Sequence, residues 1–123
     1  GTTGEIRATN DITAFYSSDM ALKENIIVID NPLEKIKALR GVYFDWKDEY
    51  INSRGGEDGY FVRKKDVGVI AQEVEPIIPE IVSTVDGIKS VQYDGIIGLL
   101  IEAIKDQQAQ INELKILLNS RPL

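Results

Sequence analysis

Ser18 and Lys23 form the pair of side chains in this 123-residue sequence whose types and spacing suit covalent chemistry. A serine hydroxyl is a weak nucleophile until a base removes its proton. A lysine amine can be that base once burial or nearby positive charge has drawn its pKa well below about 10.4. Serine–lysine pairs are an established variant of the serine triad. The sequence has no histidine and no cysteine, which leaves lysine as the leading base candidate. The same absence excludes a Ser-His-Asp triad, a thiol nucleophile, a disulfide framework and the commonest zinc ligands within this chain. Ser18 and Lys23 meet if the residues between them make about a turn and a half of helix, or a tight bend. Asp19 and Glu24 work against the chemistry, because carboxylates beside a lysine raise its pKa. On spacing alone the simpler reading is that Ser18 caps a short helix and Lys23 is solvated.

Composition limits what else the chain can be. With 14 basic and 20 acidic residues its formal charge is −6, the wrong sign for binding a nucleic-acid backbone. Arg63-Lys64-Lys65 is a compact basic run, but Glu57, Asp58 and Asp66 flank it, so it reads as a solvated loop rather than a phosphate site. No run approaches 18 apolar residues and no secretory signal pattern opens the sequence, so a soluble protein without a membrane partner is expected. The length suits one domain with one core. An opening at Gly1 without methionine reads as an excerpt of a longer polypeptide.

The elements that must position the pair follow from periodicity. Residues 1–16 alternate, with Ile6, Ala8, Ile12, Ala14 and Tyr16 on one parity, which predicts half-buried strands around a turn at Thr9-Asn10-Asp11. So short a hairpin is marginal alone, so it is expected to pair with other β-structure. Asn31-Pro32-Leu33-Glu34 predicts a helix start, with Asn31 as cap, Leu33, Ile36 and Leu39 as the buried stripe and Gly41 as the stop. Period two then sets Val42, Phe44 and Trp46 on the core face of a strand. Residues 48–66 read as a polar, glycine-bearing hairpin or insertion without the spacing of a phosphate loop. Asp66 to Ala71 suits a short strand. Gln72 to Ile81 suits a short helical stretch broken by Pro76 and Pro79. Residues 81–85 and 88–91 flank Asp86-Gly87, a tight-turn dipeptide.

From about Asp94 to Asn119 the pattern is helical. Tyr93, Ile97, Leu100, Ile104, Gln107, Ile111, Leu114 and Leu118 are spaced alternately four and three, a coiled-coil register with Gln107 as a polar position able to fix it. Ile96, Leu99 and Ile101 add apolar surface to the first half, which is expected to pack on the globule while the second half meets other copies. Isoleucine at one core position and leucine at the other leans slightly to two strands.

Ser18-Asp19-Met20-Ala21-Leu22-Lys23-Glu24-Asn25-Ile26 resembles the opening motif of the intramolecular chaperone, auto-processing domain at the carboxyl end of phage tailspikes, tail fibres and endosialidases. A related domain occurs in the membrane-anchored myelin regulatory transcription factors. The resemblance continues through Leu39 to Lys47, Gly68 to Glu75, Pro79 to Val82, Tyr93 and Leu99 to Lys105, in order. It implies an α+β fold: a short β segment upstream, a small mixed globular domain, and a long C-terminal helix in a trimeric coiled coil. It implies residues 1–17 as the end of a fibre or tailspike and 18–123 as the chaperone. The implied function is to trimerise, assist folding of the upstream β-structured fibre in the same polypeptide, and then release itself by autoproteolysis. Ser18 and Lys23 become the catalytic dyad, with the cut among Ser17, Ser18 and Asp19. The helix positions Ile97, Leu100, Ile104, Gln107, Ile111, Leu114 and Leu118 become the trimer contact, which overrides the lean to two strands. No metal or cofactor is implied. Assembly would occur in the host cytoplasm, with the product in the virion tail and the chaperone released.

Two points stay open. Ser18 Oγ reaches the carbonyl of Ser17 through a five-membered ring, whereas its own carbonyl would need a four-membered one. A cut between Ser18 and Asp19 therefore calls for a differently placed nucleophile, such as one from another subunit. Two other classes compete with autoproteolysis. One is a non-cleaving trimerisation cap. The other is a carbohydrate-binding tip in which Tyr43, Trp46 and Tyr60 stack on sugars.

Overall fold

The computed structural model describes residues 17–122. The alternating segment of residues 1–16 lies outside the described residues. After one 3₁₀ turn at Met20–Leu22, the chain forms α1 (Pro32–Lys37), β1 (Val42–Asp45), α2 (Asp48–Ser53), β2 (Lys65–Gly68) and α3 (Ala71–Val74). A second 3₁₀ turn at Pro79–Ile81 leads to β3 (Val82–Val85), β4 (Ile88–Val91) and α4 (Tyr93–Asn119). This is a mixed α+β domain with two short sheets and one long helix.

Each sheet is an antiparallel pair. β1 pairs with β2, Val42 opposite Gly68 and Asp45 opposite Lys65. β3 pairs with β4, Val82 opposite Val91 and Val85 opposite Ile88. Asp86 and Gly87 join β3 to β4 with φ of 50° and 78°. Two positive φ values in a two-residue loop suit the right-handed twist of the strands, and the expected tight turn is found. Pro76 and Pro79 interrupt the helical stretch after α3 as expected, since proline cannot donate the next helical hydrogen bond.

The buried core consists of Ile51, Val74, Ile81, Leu99 and Ala103. α1 packs along α4, α3 against β4, and the second 3₁₀ turn against α4. Gly95 makes that last approach feasible, because a Cβ there would overlap the Ile81 side chain. An ion pair ties the α1–β1 connection to α3: Arg40 donates through Nε and Nη2 to the two carboxylate oxygens of Glu73, both at 2.8 Å. This fork holds the Glu73 carboxyl below its ordinary pKa.

Several expectations need correction. Asn31 precedes α1 but does not cap it. Its backbone is left-handed (φ 47°, ψ 49°), and its amide turns back to Asp30 Oδ2 at 3.4 Å instead of meeting a helix N–H. The helix stops at Lys37, before Gly41, which is not among the positive-φ residues. The polar excursion contains a helix, α2, which contributes Ile51 to the core. The strand expected over 66–71 runs from Lys65 to Gly68, and Ala71 already begins α3. Trp46 is only partly covered, at 36% exposure. It stacks at 5.0 Å on Tyr50 and edge-on to Phe44, and its indole N–H donates to Asp66 Oδ2 at 3.1 Å.

The three basic residues of the 63–65 run each face a carboxylate. Arg63 lies 3.2 Å from Asp66, Lys64 2.7 Å from Asp48, and Lys65 3.6 Å from Asp45. No helix among the described residues is long and apolar enough to cross a membrane.

Candidate active site and association helix

The candidate active site is built from one short stretch of chain. Met20, Ala21 and Leu22 are good helix formers, but the segment completes only one 3₁₀ turn. Leu22 N donates to Asp19 O and Lys23 N to Met20 O, both at 3.1 Å. Lys23 then leaves in an extended conformation, and Asn25 follows with φ of 55°. A 3₁₀ turn rises about 2 Å per residue against about 3.3 Å in a strand, so it shortens the path from residue 18 to residue 23. The lysine stem spans what remains. Lys23 Nζ donates to Ser18 Oγ at 2.8 Å.

The bend expected between the two residues is therefore present, and a single chain suffices to make the contact. The turn is capped by Asp19, not by Ser18: Asp19 Oδ1 accepts from Ala21 N at 2.8 Å. The cap reading of Ser18 is set aside on that geometry. Sequence reasoning treated Asp19 only as an unfavourable charge beside the lysine. The signal for its other role was an Asx residue directly before a run of helix formers.

The stretch is exposed. Ser17, Ser18, Asp19 and Lys23 all lie at the surface, and so do Met20, Leu22, Ile26, Ile27 and Val28. A sequence of this apolarity without cover is unusual for the surface of a small domain.

The second candidate feature is α4, whose 27 residues span about 40 Å. Leu99 and Ala103 turn into the globule and Ile96 is half-buried. Ile101, expected among the globule contacts, is exposed instead, because it lies on the opposite side of the helix from Leu99. The heptad positions Ile97, Leu100, Ile104, Gln107, Ile111, Leu114 and Leu118 are all exposed, Ile104 at 63% and Leu118 at 62%. They fall on one stripe that the other described residues leave uncovered.

Tyr43, Trp46 and Tyr60, the candidate sugar-stacking aromatics, do not line one common cleft. Trp46 lines one shallow cleft with Tyr50, Arg54 and Phe61, and Tyr43 lines another with Phe44 and Lys65. Tyr60 stands beside Phe61 with ring centroids 6.1 Å apart.

A small mixed domain, preceded by a self-contained hydroxyl–amine pair and followed by a long helix with an uncovered apolar stripe, is the arrangement that sequence comparison then identifies. Residues 18–83, more than half of the chain, match a peptidase family described as the chaperone of endosialidase, and the chain belongs to that family. The match opens at Ser18. The chain is also similar to the long tail fibre protein Gp37 of Enterobacteria phage K3, 33% identical over 120 residues, covering 91% of this chain and 9% of that protein. Gp37 of Enterobacteria phage T2 gives the same identity over the same length, covering 8% of the phage protein. Gp37 of Salmonella phage S16 is 36% identical over 104 residues, covering 80% of this chain and 13% of its own length. The chain thus spans about a tenth of the length of these fibre proteins.

Proposed function

We propose that residues 18–123 form a C-terminal intramolecular chaperone that trimerises through α4, assists assembly of an upstream β-structured phage fibre, and releases itself by cleavage at Ser18. The observation that carries the reading is the 2.8 Å contact between Lys23 Nζ and Ser18 Oγ. With the lysine charged, the ammonium donates to the hydroxyl. Once neutral, the amine accepts the hydroxyl proton across the same separation. The alkoxide then attacks the Ser17 carbonyl carbon through a five-membered ring. The tetrahedral intermediate collapses by breaking the Ser17–Ser18 C–N bond, and Lys23 returns its proton to the departing Ser18 nitrogen. Water hydrolyses the resulting Ser17 ester on Ser18 Oγ. This yields a carboxylate at Ser17 and restores the serine hydroxyl.

Proximity is available in one chain, so assembly has a different task from bringing the two residues together. A second or third copy covering Met20, Leu22 and Ile26 would exclude water from the pair, and desolvation favours the neutral form of a lysine. The uncovered stripe of α4 supplies the association. Early trimerisation raises the effective concentration of the attached fibre strands, whose non-local pairings otherwise form slowly. Cleavage afterwards leaves the fibre kinetically trapped.

Intact-mass spectrometry of the full-length fibre tests the reading. The expected result is a released fragment beginning at Ser18 in the parent, absent from Ser18→Ala and Lys23→Ala. A fragment beginning at Asp19 would replace the ring mechanism by attack from another subunit. A parent that stays intact as an assembled trimer would establish the non-cleaving cap instead.

A further inference from the structure

We propose that Asp19 is the positioning residue of the candidate pair: its carboxylate closes the turn that holds Lys23 against Ser18. The inference rests on the Ser18–Lys23 reading and assigns a cause to its geometry. Three interactions make the bend. Two are backbone hydrogen bonds of 3.1 Å, Leu22 N to Asp19 O and Lys23 N to Met20 O. The third is the 2.8 Å acceptance of Ala21 N by Asp19 Oδ1, the side-chain hydrogen bond within the turn.

A turn of three residues is a weak structure by itself. Nucleation fixes several dihedral angles for one or two hydrogen bonds, and 3₁₀ hydrogen-bond geometry is poorer than α. None of the residues in this turn is buried, so packing among the described residues does not hold it. The cap is therefore a large share of what holds the bend. Without it the segment relaxes toward extended backbone, and Lys23 Nζ swings away from Ser18 Oγ. The same hydrogen bond gives the Asp19 carboxylate a partner other than the Lys23 ammonium. Asp19 thus acts through the backbone and touches neither reacting atom. An acceptor oxygen at this position is what the geometry requires, and asparagine supplies one as well as aspartate does.

The test compares Asp19→Ala with Asp19→Asn in the full-length protein, by cleavage rate and by nuclear Overhauser contacts between the Lys23 side chain and the Ser18 β protons. The contacts are recorded in chains that have not yet cleaved. The expected result is a cleavage rate about five-fold lower for Asp19→Ala, the factor that loss of an ordinary cap imposes. The Lys23–Ser18 contacts weaken in that variant, and Asp19→Asn restores both. Asp19→Ala with parental rate and contacts overturns the proposal. So does Asp19→Asn that fails as badly as Asp19→Ala, since the charge and not the cap would then matter. The two readings fail separately. A parent that never cleaves, or one indifferent to Lys23→Ala, removes the dyad. The Overhauser contacts still report whether Asp19 holds Lys23 in place.

Discussion

The middle of the described chain and its two flanks differ in what they bury: all the buried apolar residues among the described ones lie in the middle. From α1 to the first half of α4, the sequence encloses Ile51, Val74, Ile81, Leu99 and Ala103 within one chain. The flanks do not. Ahead of the globule Met20, Leu22, Ile26, Ile27 and Val28 are exposed, and beyond it Ile104, Ile111, Leu114 and Leu118 are as well. α4 shows the change within a single helix: Leu99 is fully buried while Ile104, little more than one turn later, is 63% exposed. The isolated chain builds its buried core from the middle alone, although Tyr43, Tyr60, Phe61, Val85 and Ile88 stay exposed there. The exposed flanks are the faces that the proposed assembly would cover, and one of them carries Ser18 and Lys23.

The sharpest way to break this contrast is to charge the distal stripe. Ile104→Asp with Ile111→Asp places two carboxylates where the proposed trimer is dry, at several kcal/mol per uncompensated charge. Association measured by sedimentation equilibrium should weaken at least about 1,000-fold. The circular dichroism of the globule and its thermal midpoint should change little. Normal assembly in this variant would refute the role of the stripe. The complementary change, Leu99→Ala, empties a fully buried site in the middle. It should cost about 2–5 kcal/mol in denaturant unfolding, well beyond an ordinary surface substitution.

Gly95 tests how closely the middle is packed. A Cβ at this position would meet Ile81, a buried residue that cannot simply turn away. Gly95→Ala should destabilise the domain by about 1–3 kcal/mol as overpacking, despite alanine's better helix propensity. A gain in stability would show that the second 3₁₀ turn moves freely against α4.

Which parts of this were legible in the sequence follows the strength of the local signal. Asp86-Gly87 between alternating residues specifies its turn through backbone geometry alone, and the hairpin was readable. The heptad of α4 was equally plain, because the spacing persists across the helix. The shorter elements were harder. α2 has six residues and follows Lys47, which gives it no side-chain cap, so nothing in 48–53 outweighed the surrounding polar residues and glycines. Asn31 shows the limit of residue statistics: asparagine suits both a helix cap and a left-handed backbone, and here it adopts the second. At the candidate site, the types and spacing of Ser18 and Lys23 were visible. The Asp19 cap was not, because sequence presents a carboxylate next to a lysine first as a charge.

The smallest expected effect comes from acid, and it distinguishes the two kinds of region by chemistry rather than by packing. The antiparallel pair of β1 and β2 is held partly by Asp66. Its carboxylate accepts from Val67 N at 2.8 Å, from Trp46 Nε1 at 3.1 Å and from Arg63 Nη2 at 3.2 Å. These donors, the Val67 amide first, hold the Asp66 carboxyl below its ordinary pKa. Asp58 is held low in the same way by the amides of Val62 and Tyr60, and Glu73 by Arg40. A carboxyl whose pKa is lower folded than unfolded adds stability above the unfolded value and loses it as pH falls through the folded one. The middle should therefore loosen below about pH 4, where an ordinary aspartate begins to protonate. The distal stripe from Ile104 to Leu118 contains no titratable residue at its heptad positions, so acid should leave its contacts comparatively intact. Trp46 is the only tryptophan in the chain and donates directly to Asp66, so its fluorescence senses that carboxylate first. A fluorescence step in this acid range, abolished by Asp66→Asn while sedimentation shows the assembly unchanged, is the expected outcome. A step that persists in Asp66→Asn would assign the transition to Asp58 or Glu73. Simultaneous loss of assembly would mean that the stripe depends on the globule rather than standing apart from it.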